Sequence, residues 1–256
     1  MIPPSATQGQ RTIVVFAASS LTNVFEDIAD DFESANPGVE VLFSFGGSSV
    51  IAAQLVEGAP ADVFASANTE QMEIVRNAGR IAGETVTFAR NRLALIVPSG
   101  NPAGIESVRD LARPGVKLVV GAVGVPIRAY MDSMFELLAA DPSYGDVFVA
   151  GGLANIVSEE QNVRQVVAKL ALGEGDAGIV YHSDVIPNLA DQVIAIPIPD
   201  SVNPVADYPI AVIEDASQPE LAAAFVDYML SEAGQAVMLR WNFLPGDDGK
   251  QVVCGA

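Results

Sequence analysis

The chain of 256 residues is half apolar and carries 32 acidic against 13 basic residues, for a formal net charge of −19 at pH 7. This length suffices for one large domain or for two domains of about 100–150 residues. The acidic balance argues against a nucleic-acid partner, which requires a basic face, and against an anionic membrane surface. It does not exclude a small anionic ligand, because uncharged N–H and O–H groups can bind an anion inside a cleft.

The first strand-to-helix turn lies within residues 12–32. Residues 13–16 form a short apolar run rich in β-branched side chains, which predicts a buried strand. Apolar side chains then recur at steps of three and four, as in an amphipathic helix, at Leu21, Val24, Phe25, Ile28 and Phe32. Ser20 stands where this helix must begin. It therefore either caps the helix or leaves the exposed N–H groups to a bound anion.

The same pattern of a strand, small polar residues and a helix start recurs after the first helix. A second buried strand ends at Phe45, and Gly46, Gly47, Ser48 and Ser49 lead into a helix at residues 51–56. A short strand at residues 62–65 and a helix at residues 69–77 continue the series. Strands that alternate with helices predict an α/β fold with mainly parallel sheets covered by helices on both faces.

The remaining elements continue this alternation. Further strands are predicted at residues 85–88, 93–97, 117–121, 147–150, 176–181 and 193–196, and further helices at 107–111, 127–139, 159–172, 219–230 and 232–240. We expect the chain to cross into a second lobe near Arg90 and to return at residues 210–213. The first lobe would then comprise residues 11–90 and 209–256, and the second, inserted lobe residues 91–208.

Residues for catalysis or for a metal site are scarce. His182 is the only histidine and Cys254 the only cysteine, so a zinc site built from these residue types is excluded. A Ser-His-Asp triad would have to use His182, for which a place in a surface loop is the simpler interpretation. Lys117 and Lys169 fall within a predicted strand and a predicted helix. An enzyme is therefore disfavoured.

Neutral polar groups instead collect where predicted strands end and helices begin. They are the hydroxyls of Ser20, Ser48, Ser49 and Tyr181 and the backbone N–H groups near Ile127 and Val163. In open α/β sheets, ligands bind outside the carboxyl ends of the strands, where helix N-termini point. Charge-assisted hydrogen bonds to a buried oxyanion there contribute about 1.5–3 kcal/mol each. The pattern predicts an oxyanion site without a cationic side chain.

Six ordered motifs resemble those of the periplasmic molybdate-binding proteins, the substrate-binding components of ABC importers. They are FAASSLTN, SFGGSSVIAAQL, GAPADVFASA, the VP before a helix, NVRQVVAKLALGEGDAGIVYHSD and YPIAVI, and the resemblance covers residues 12–243. The resemblance implies a two-lobed type II fold, each lobe a mainly parallel sheet flanked by helices, with the ligand in the cleft between the lobes.

The resemblance also implies five ligand-binding residues. Ser20 and Ser48 match the two serines that bond the oxyanion through hydroxyl and backbone N–H. Ile127 and Val163 match positions that donate a backbone N–H, and Tyr181 matches the tyrosine whose hydroxyl completes the site. Neighbours that are not expected to be direct ligands are Ser19, Ser49 and Asn162.

The second-lobe helix start departs from the family pattern. The family commonly has VPAG there, whereas this chain has Val125, Pro126, Ile127 and Arg128. The backbone N–H of Ile127 survives the change. The side chain of Arg128 either points to solvent or reaches the oxyanion and alters selectivity.

A member of this family would capture molybdate and tungstate by hinge closure and deliver the anion to a membrane permease, with no cofactor and no chemistry on the ligand. We expect a monomer in the periplasm, or anchored to the outer side of a membrane. The opening MIPPSATQGQR lacks an apolar signal core, so any export signal is expected outside this sequence. The main alternative is a receptor for another oxyanion, such as sulfate, phosphonate or thiosulfate. A regulator's sensor domain would normally follow a basic helix-turn-helix, and none precedes Thr12.

Overall fold

The computed structural model describes residues 11–186 and 191–246. Within them lie strands β1 Arg11–Ala18, β2 Val39–Gly46, β3 Val63–Ala65, β4 Ile81–Pro98, β5 Leu118–Gly121, β6 Ile156–Glu160, β7 Ala177–Tyr181, β8 Val193–Ile196, β9 Val205–Ile213 and β10 Leu244–Pro245. The α-helices are α1 Thr22–Ala35, α2 Ser48–Val56, α3 Thr69–Asn77, α4 Pro126–Ala140, α5 Asp146–Ala154, α6 Val163–Ala171, α7 Pro219–Leu230 and α8 Glu232–Arg240. The opening residues 1–10, Cys254 and the part of the predicted first lobe beyond Gly246 fall outside the described residues.

The strands form one hydrogen-bonded path in the order β2-β1-β3-β9-β4-β7-β5-β6, with β8 and β10 also paired to β4. We call β2, β1, β3, β9 and residues 81–92 of β4 the first sheet, and residues 93–98 of β4 with β7, β8, β5 and β6 the second sheet. β1 pairs in parallel with β2 and β3, and β5 with β6 and β7. The pairs made by β4 and β9 are antiparallel. Each sheet thus has a parallel portion, and β4 joins the two.

A single long strand replaces the two strands predicted at residues 85–88 and 93–97. β4 stays extended through Arg90, which was expected to mark the crossing, because Arg92 still pairs with Val205 while Leu93 already pairs with Tyr181. β4 therefore changes its partner strand after Arg92, two residues beyond Arg90, where the crossing was predicted. The lobe boundaries at residues 90/91 and 208/209 remain a prediction.

Helices cover both faces of the first sheet because its central strands are apolar on both sides. Val63 and Ala65 belong to the main core, which includes α1, α7 and α8, whereas Phe64 packs in a smaller cluster with α2 and α3. The main core continues into the second sheet and the helices α4 and α6. Among the described helices, none combines the length and apolarity that a bilayer span requires.

Two predicted elements of the second half were wrong. Residues 147–150, expected as a strand, lie in α5, which begins after Gly145 adopts a positive φ of 76°. Val147 is 87% exposed, so this apolar run is not a buried strand. The helix expected at residues 159–172 begins only at Val163, because residues 156–160 pair with β5 as β6. This later start puts Val163 at a helix N-terminus.

Candidate functional site

A small cavity lies where the two sheets face each other. The first-sheet side contributes Ala18, Ser19, Ser20, Gly46, Gly47, Ser48 and Ala67, and the second-sheet side contributes Val125, Pro126, Ile127, Asn162, Val163 and Tyr181. All five ligand-binding residues expected from the sequence therefore line one cavity. Its volume is about 10 Å³, against roughly 300–1,000 Å³ for pockets that hold drug-sized ligands. A compact ion is the class of ligand that this size allows.

Four helices begin at or next to this cavity, and each is the next α-helix after a strand with a parallel neighbour. Ser20 lies in the 3₁₀ turn Ser19–Leu21 ahead of α1, and Ser48 is the first residue of α2. Ile127 is the second residue of α4, and Val163 is the first of α6. The first N–H groups of a helix have no partner within it and carry the positive end of the helix dipole. Their convergence favours a negatively charged ligand.

The two serine hydroxyls are buried and already hold one partner each. Ser48 is 1% exposed, and its Oγ accepts the N–H of Ala67 at 3.1 Å. Because that contact uses a lone pair, the hydroxyl proton of Ser48 stays available to a ligand. Ser20 is 4% exposed, and its Oγ lies 3.1 Å from the hydroxyl of Tyr208.

Tyr181 supplies a hydroxyl with no partner. Its side chain ends β7, is 1% exposed, and makes no hydrogen bond through its OH to any described residue. A buried polar group in this state costs about 1–3 kcal/mol. Burial raises the pKa of Tyr181 well above its usual value, so the hydroxyl keeps its proton and is available as a donor. An acceptor in the cavity would satisfy it.

The sequence model of the bacterial extracellular solute-binding proteins matches residues 13–244. The chain belongs to this family. It is 41% identical to the molybdate-binding protein ModA of Mycobacterium tuberculosis, over 94% of this chain and 87% of that protein. The resemblance to molybdate-binding proteins expected from the motifs is thereby confirmed.

Solved structures of other proteins agree with the fold. The sulfate-binding protein SubI from Mycobacterium tuberculosis has a TM-score of 0.82 and 19% identity, covering 93% of this chain and 88% of its own. The periplasmic molybdate-binding protein of Azotobacter vinelandii has a TM-score of 0.76 and 21% identity, covering 91% and 98%. Such low identities speak for the fold alone, and they confirm the expected two-lobed type II architecture.

The side chain of Arg128 turns away from the cavity of this solute-binding protein. Its Nε donates to Asp132 Oδ1 at 2.9 Å, and its guanidinium also donates to Glu159. These carboxylates hold the pKa of Arg128 above its usual value, although burial acts against them. Arg128 does not line the cavity. The sequence left two orientations open for Arg128, towards solvent or towards the oxyanion. In the structure the guanidinium is paired with carboxylates and does not enter the cavity.

The three residues expected to lie near the ligand have different positions in the structure. Ser19 and Asn162 line the cavity, whereas Ser49 does not. Asn162 caps α6, since its Oδ1 accepts the N–H of Gln165 at 3.1 Å. His182 is exposed and lies outside the cavity lining, so it takes no part in the site.

Arg164 links the two sides of the cavity and was missed by sequence reasoning. From the second position of α6, its Nε donates to the carbonyl oxygen of Ser19 at 3.2 Å, and its Nη2 donates to Asn23. The same Nε lies 3.6 Å from Asp184 Oδ1. The only signal in the sequence was its place within the NVR motif.

Asp184 is the buried carboxylate next to the site. It is 1% exposed, and its Oδ2 accepts the N–H of Tyr181 at 3.1 Å. Burial raises the pKa of Asp184 to about 6, although Arg164 acts in the opposite direction. Asp184 thus fixes the backbone of Tyr181 from behind the cavity.

The two sides also meet at Gly47. A β-carbon added there would lie 2.3 Å from the carbonyl oxygen of Gln161. The backbone at Gly47 has φ −65° and ψ 133°, which any residue adopts. Glycine is therefore required here by the close approach and not by the backbone conformation.

Proposed function

We propose that this protein captures molybdate, and tungstate as well, in the neutral cavity between its sheets, and delivers the anion to the permease of an ABC importer. The observation that carries the proposal is the buried Tyr181 hydroxyl, which has no partner among the described residues and lines a cavity at which four helices begin. The 41% identity to a molybdate-binding protein supports the choice of anion.

The donors available suit a fully deprotonated oxyanion. Hydroxyls of Ser20, Ser48 and Tyr181 and backbone N–H groups of Ile127 and Val163 face a ligand that only accepts hydrogen bonds. At about 1.5–3 kcal/mol for each bond to a charged group, less desolvation and closure costs, such a set supports about −8 to −12 kcal/mol, a micromolar to nanomolar ligand. Hydrogen phosphate would be rejected, because its O–H would lack an acceptor.

Sulfate is the second candidate, because the sulfate-binding protein SubI matches the fold with a TM-score of 0.82. Fold alone does not separate two tetrahedral dianions that differ mainly in size. The sequence favours molybdate, with 41% identity to a molybdate-binding protein against 19% to SubI. We propose that cavity size sets the preference.

The protein acts as a receptor and not as an enzyme, without a cofactor, and as a monomer. Residues 11–90 with 209–256 form one lobe and residues 91–208 the other, and the two close around the anion as a hinge. The working location is the periplasm or, with an anchor, the outer face of a membrane. The match to the bacterial extracellular solute-binding proteins supports the receptor role and the location.

Isothermal titration of anion-free protein with molybdate, tungstate, sulfate and hydrogen phosphate tests the proposal. We expect submicromolar dissociation constants for molybdate and tungstate, and sulfate at least about a hundredfold weaker, or roughly 2.7 kcal/mol. Tight binding of sulfate would transfer the proposal to the second candidate. Absence of binding for all four anions would refute the assignment of the cavity.

A further inference from the structure

Tyr208 touches the site without lining it. Its side chain is fully buried in β9, and its hydroxyl lies 3.1 Å from Ser20 Oγ. The ring packs edge-on against Tyr181 and Phe243, with centroid distances of 5.5 Å and 5.4 Å. These contacts fix the position of the hydroxyl behind Ser20. The lining of the cavity does not include Tyr208.

The direction of this hydrogen bond decides what Ser20 presents to a ligand. A serine hydroxyl has one proton, so it donates either to Tyr208 or into the cavity. If it donated to Tyr208, an oxyanion in the cavity would face a lone pair of Ser20. A phenol is the more acidic of the two hydroxyls and therefore the better donor. The favourable arrangement has Tyr208 as donor and Ser20 Oγ as acceptor.

For Ser48, the other serine of the site, the direction of the hydrogen bond is fixed. The backbone N–H of Ala67 can only donate, so Ser48 Oγ must accept it, and the contact is 3.1 Å long. The proton of Ser48 is thereby left for a ligand. Tyr208, as the donor, would stand in the same relation to Ser20 as the N–H of Ala67 does to Ser48.

We propose that Tyr208 is a positioning residue for anion binding: it donates its hydroxyl proton to Ser20 Oγ and so directs the proton of Ser20 towards the bound oxyanion. This inference rests on the proposed function. It adds a residue that does not line the cavity, and it predicts that the effect of the Tyr208 hydroxyl on affinity passes mainly through Ser20.

A double-mutant cycle with molybdate tests this prediction. Tyr208→Phe removes only the hydroxyl, and we expect it to weaken molybdate binding by about tenfold. In a Ser20→Ala background, the same substitution should change the dissociation constant by less than about twofold, because the group that Tyr208 orients is absent. Thermal melting of each variant verifies that it is folded.

Tyr228→Phe is the matched control, since Tyr228 lies on α7 and packs against Phe32, away from the cavity. It should change affinity by less than about twofold in both backgrounds. An equal loss for Tyr208→Phe with and without Ser20 would show that the ring or the strand matters and would overturn the inference, as would no loss at all. Failure of the unmodified protein to bind any oxyanion would instead refute the proposed function, and this role with it.

Discussion

A single methyl group at Gly47 should prevent the two sides of the cavity from closing. The β-carbon of Gly47→Ala would lie 2.3 Å from the carbonyl oxygen of Gln161, whereas ordinary contact begins at 3.4 Å. The obstacle is backbone, so no side-chain rotation relieves it. The two sides must separate by about 1 Å to remove the overlap.

This separation acts directly on the donors. Gly47 precedes Ser48, and Gln161 lies two residues before Val163, so both move with the donors of their own side. A displacement of about 1 Å lengthens a hydrogen bond of about 2.9 Å beyond the range in which it contributes. Loss of two charge-assisted bonds, at about 1.5–3 kcal/mol each, weakens binding by about 3–6 kcal/mol, or roughly 10²- to 10⁴-fold.

Calorimetric titration with molybdate measures this loss, and small-angle scattering with and without molybdate measures closure. Because alanine accepts the backbone conformation of Gly47, the free energy of unfolding should stay unchanged or rise by about 0.4–1 kcal/mol. Ser49→Ala is the control, since Ser49 follows Ser48 on the same side and does not line the cavity. Equal affinities for Gly47→Ala and Ser49→Ala would refute the reasoning.

Three further predictions concern the residues around the cavity. Tyr181→Phe should weaken molybdate binding by about 1–3 kcal/mol in calorimetry without lowering the melting temperature, because the hydroxyl that is removed has no partner in the described residues. Arg164→Lys should speed molybdate release in stopped-flow measurements by about tenfold, since lysine cannot make both bonds to Ser19 and Asn23. In the folded protein the pKa of Asp184 is about 6, above the reference value of 3.8, so the folded state binds more protons between these values. The contribution of Asp184 to the free energy of unfolding is complete below pH 4 and falls as the pH rises to 6, by up to about 3 kcal/mol. Urea unfolding of Asp184→Asn should lack this fall.

Each of these predictions has a result that would contradict it. A melting temperature several degrees lower for Tyr181→Phe would mean that its hydroxyl is already bonded in the free protein. An unchanged release rate for Arg164→Lys would mean that its bonds do not resist opening. Identical pH profiles for Asp184→Asn and the unmodified protein would place the proton uptake on another group.

The residues of the site that could be predicted from sequence are those set by local structure. Ser20, Ser48 and Ile127 stand at helix starts after strands, where residue type and hydrophobic period act over a few positions. The start of the helix at Val163 was predicted four residues too early, at residue 159. Parallel strands bring such starts to one edge of a sheet, so the local pattern already implied a common site. Tyr181 could be predicted as a candidate because it lies at the end of a predicted strand.

The residues that were missed depend on contacts between distant parts of the chain. Tyr208 reaches Ser20, 188 positions away, because β9 pairs with β3, which lies beside β1. Gly47 and Gly46 look alike in the sequence, and only the facing Gln161 distinguishes them. The strand expected at residues 147–150 failed for a related reason, because a short apolar run is ambiguous between helix and strand until its neighbours are known.

The protein has a formal net charge of −19, and yet the site proposed for a dianion is lined by neutral side chains. The adjoining ion pair of Arg164 and Asp184 brings no net charge when both groups are ionised. The favourable potential must come from helix N-termini and fixed N–H and O–H groups, which stay in place without reorganising when the anion arrives. Such donors distinguish anions by the distances between them more than by charge. We therefore expect discrimination between molybdate and sulfate to depend on how far the two sides close, which the close approach of Gly47 and Gln161 limits.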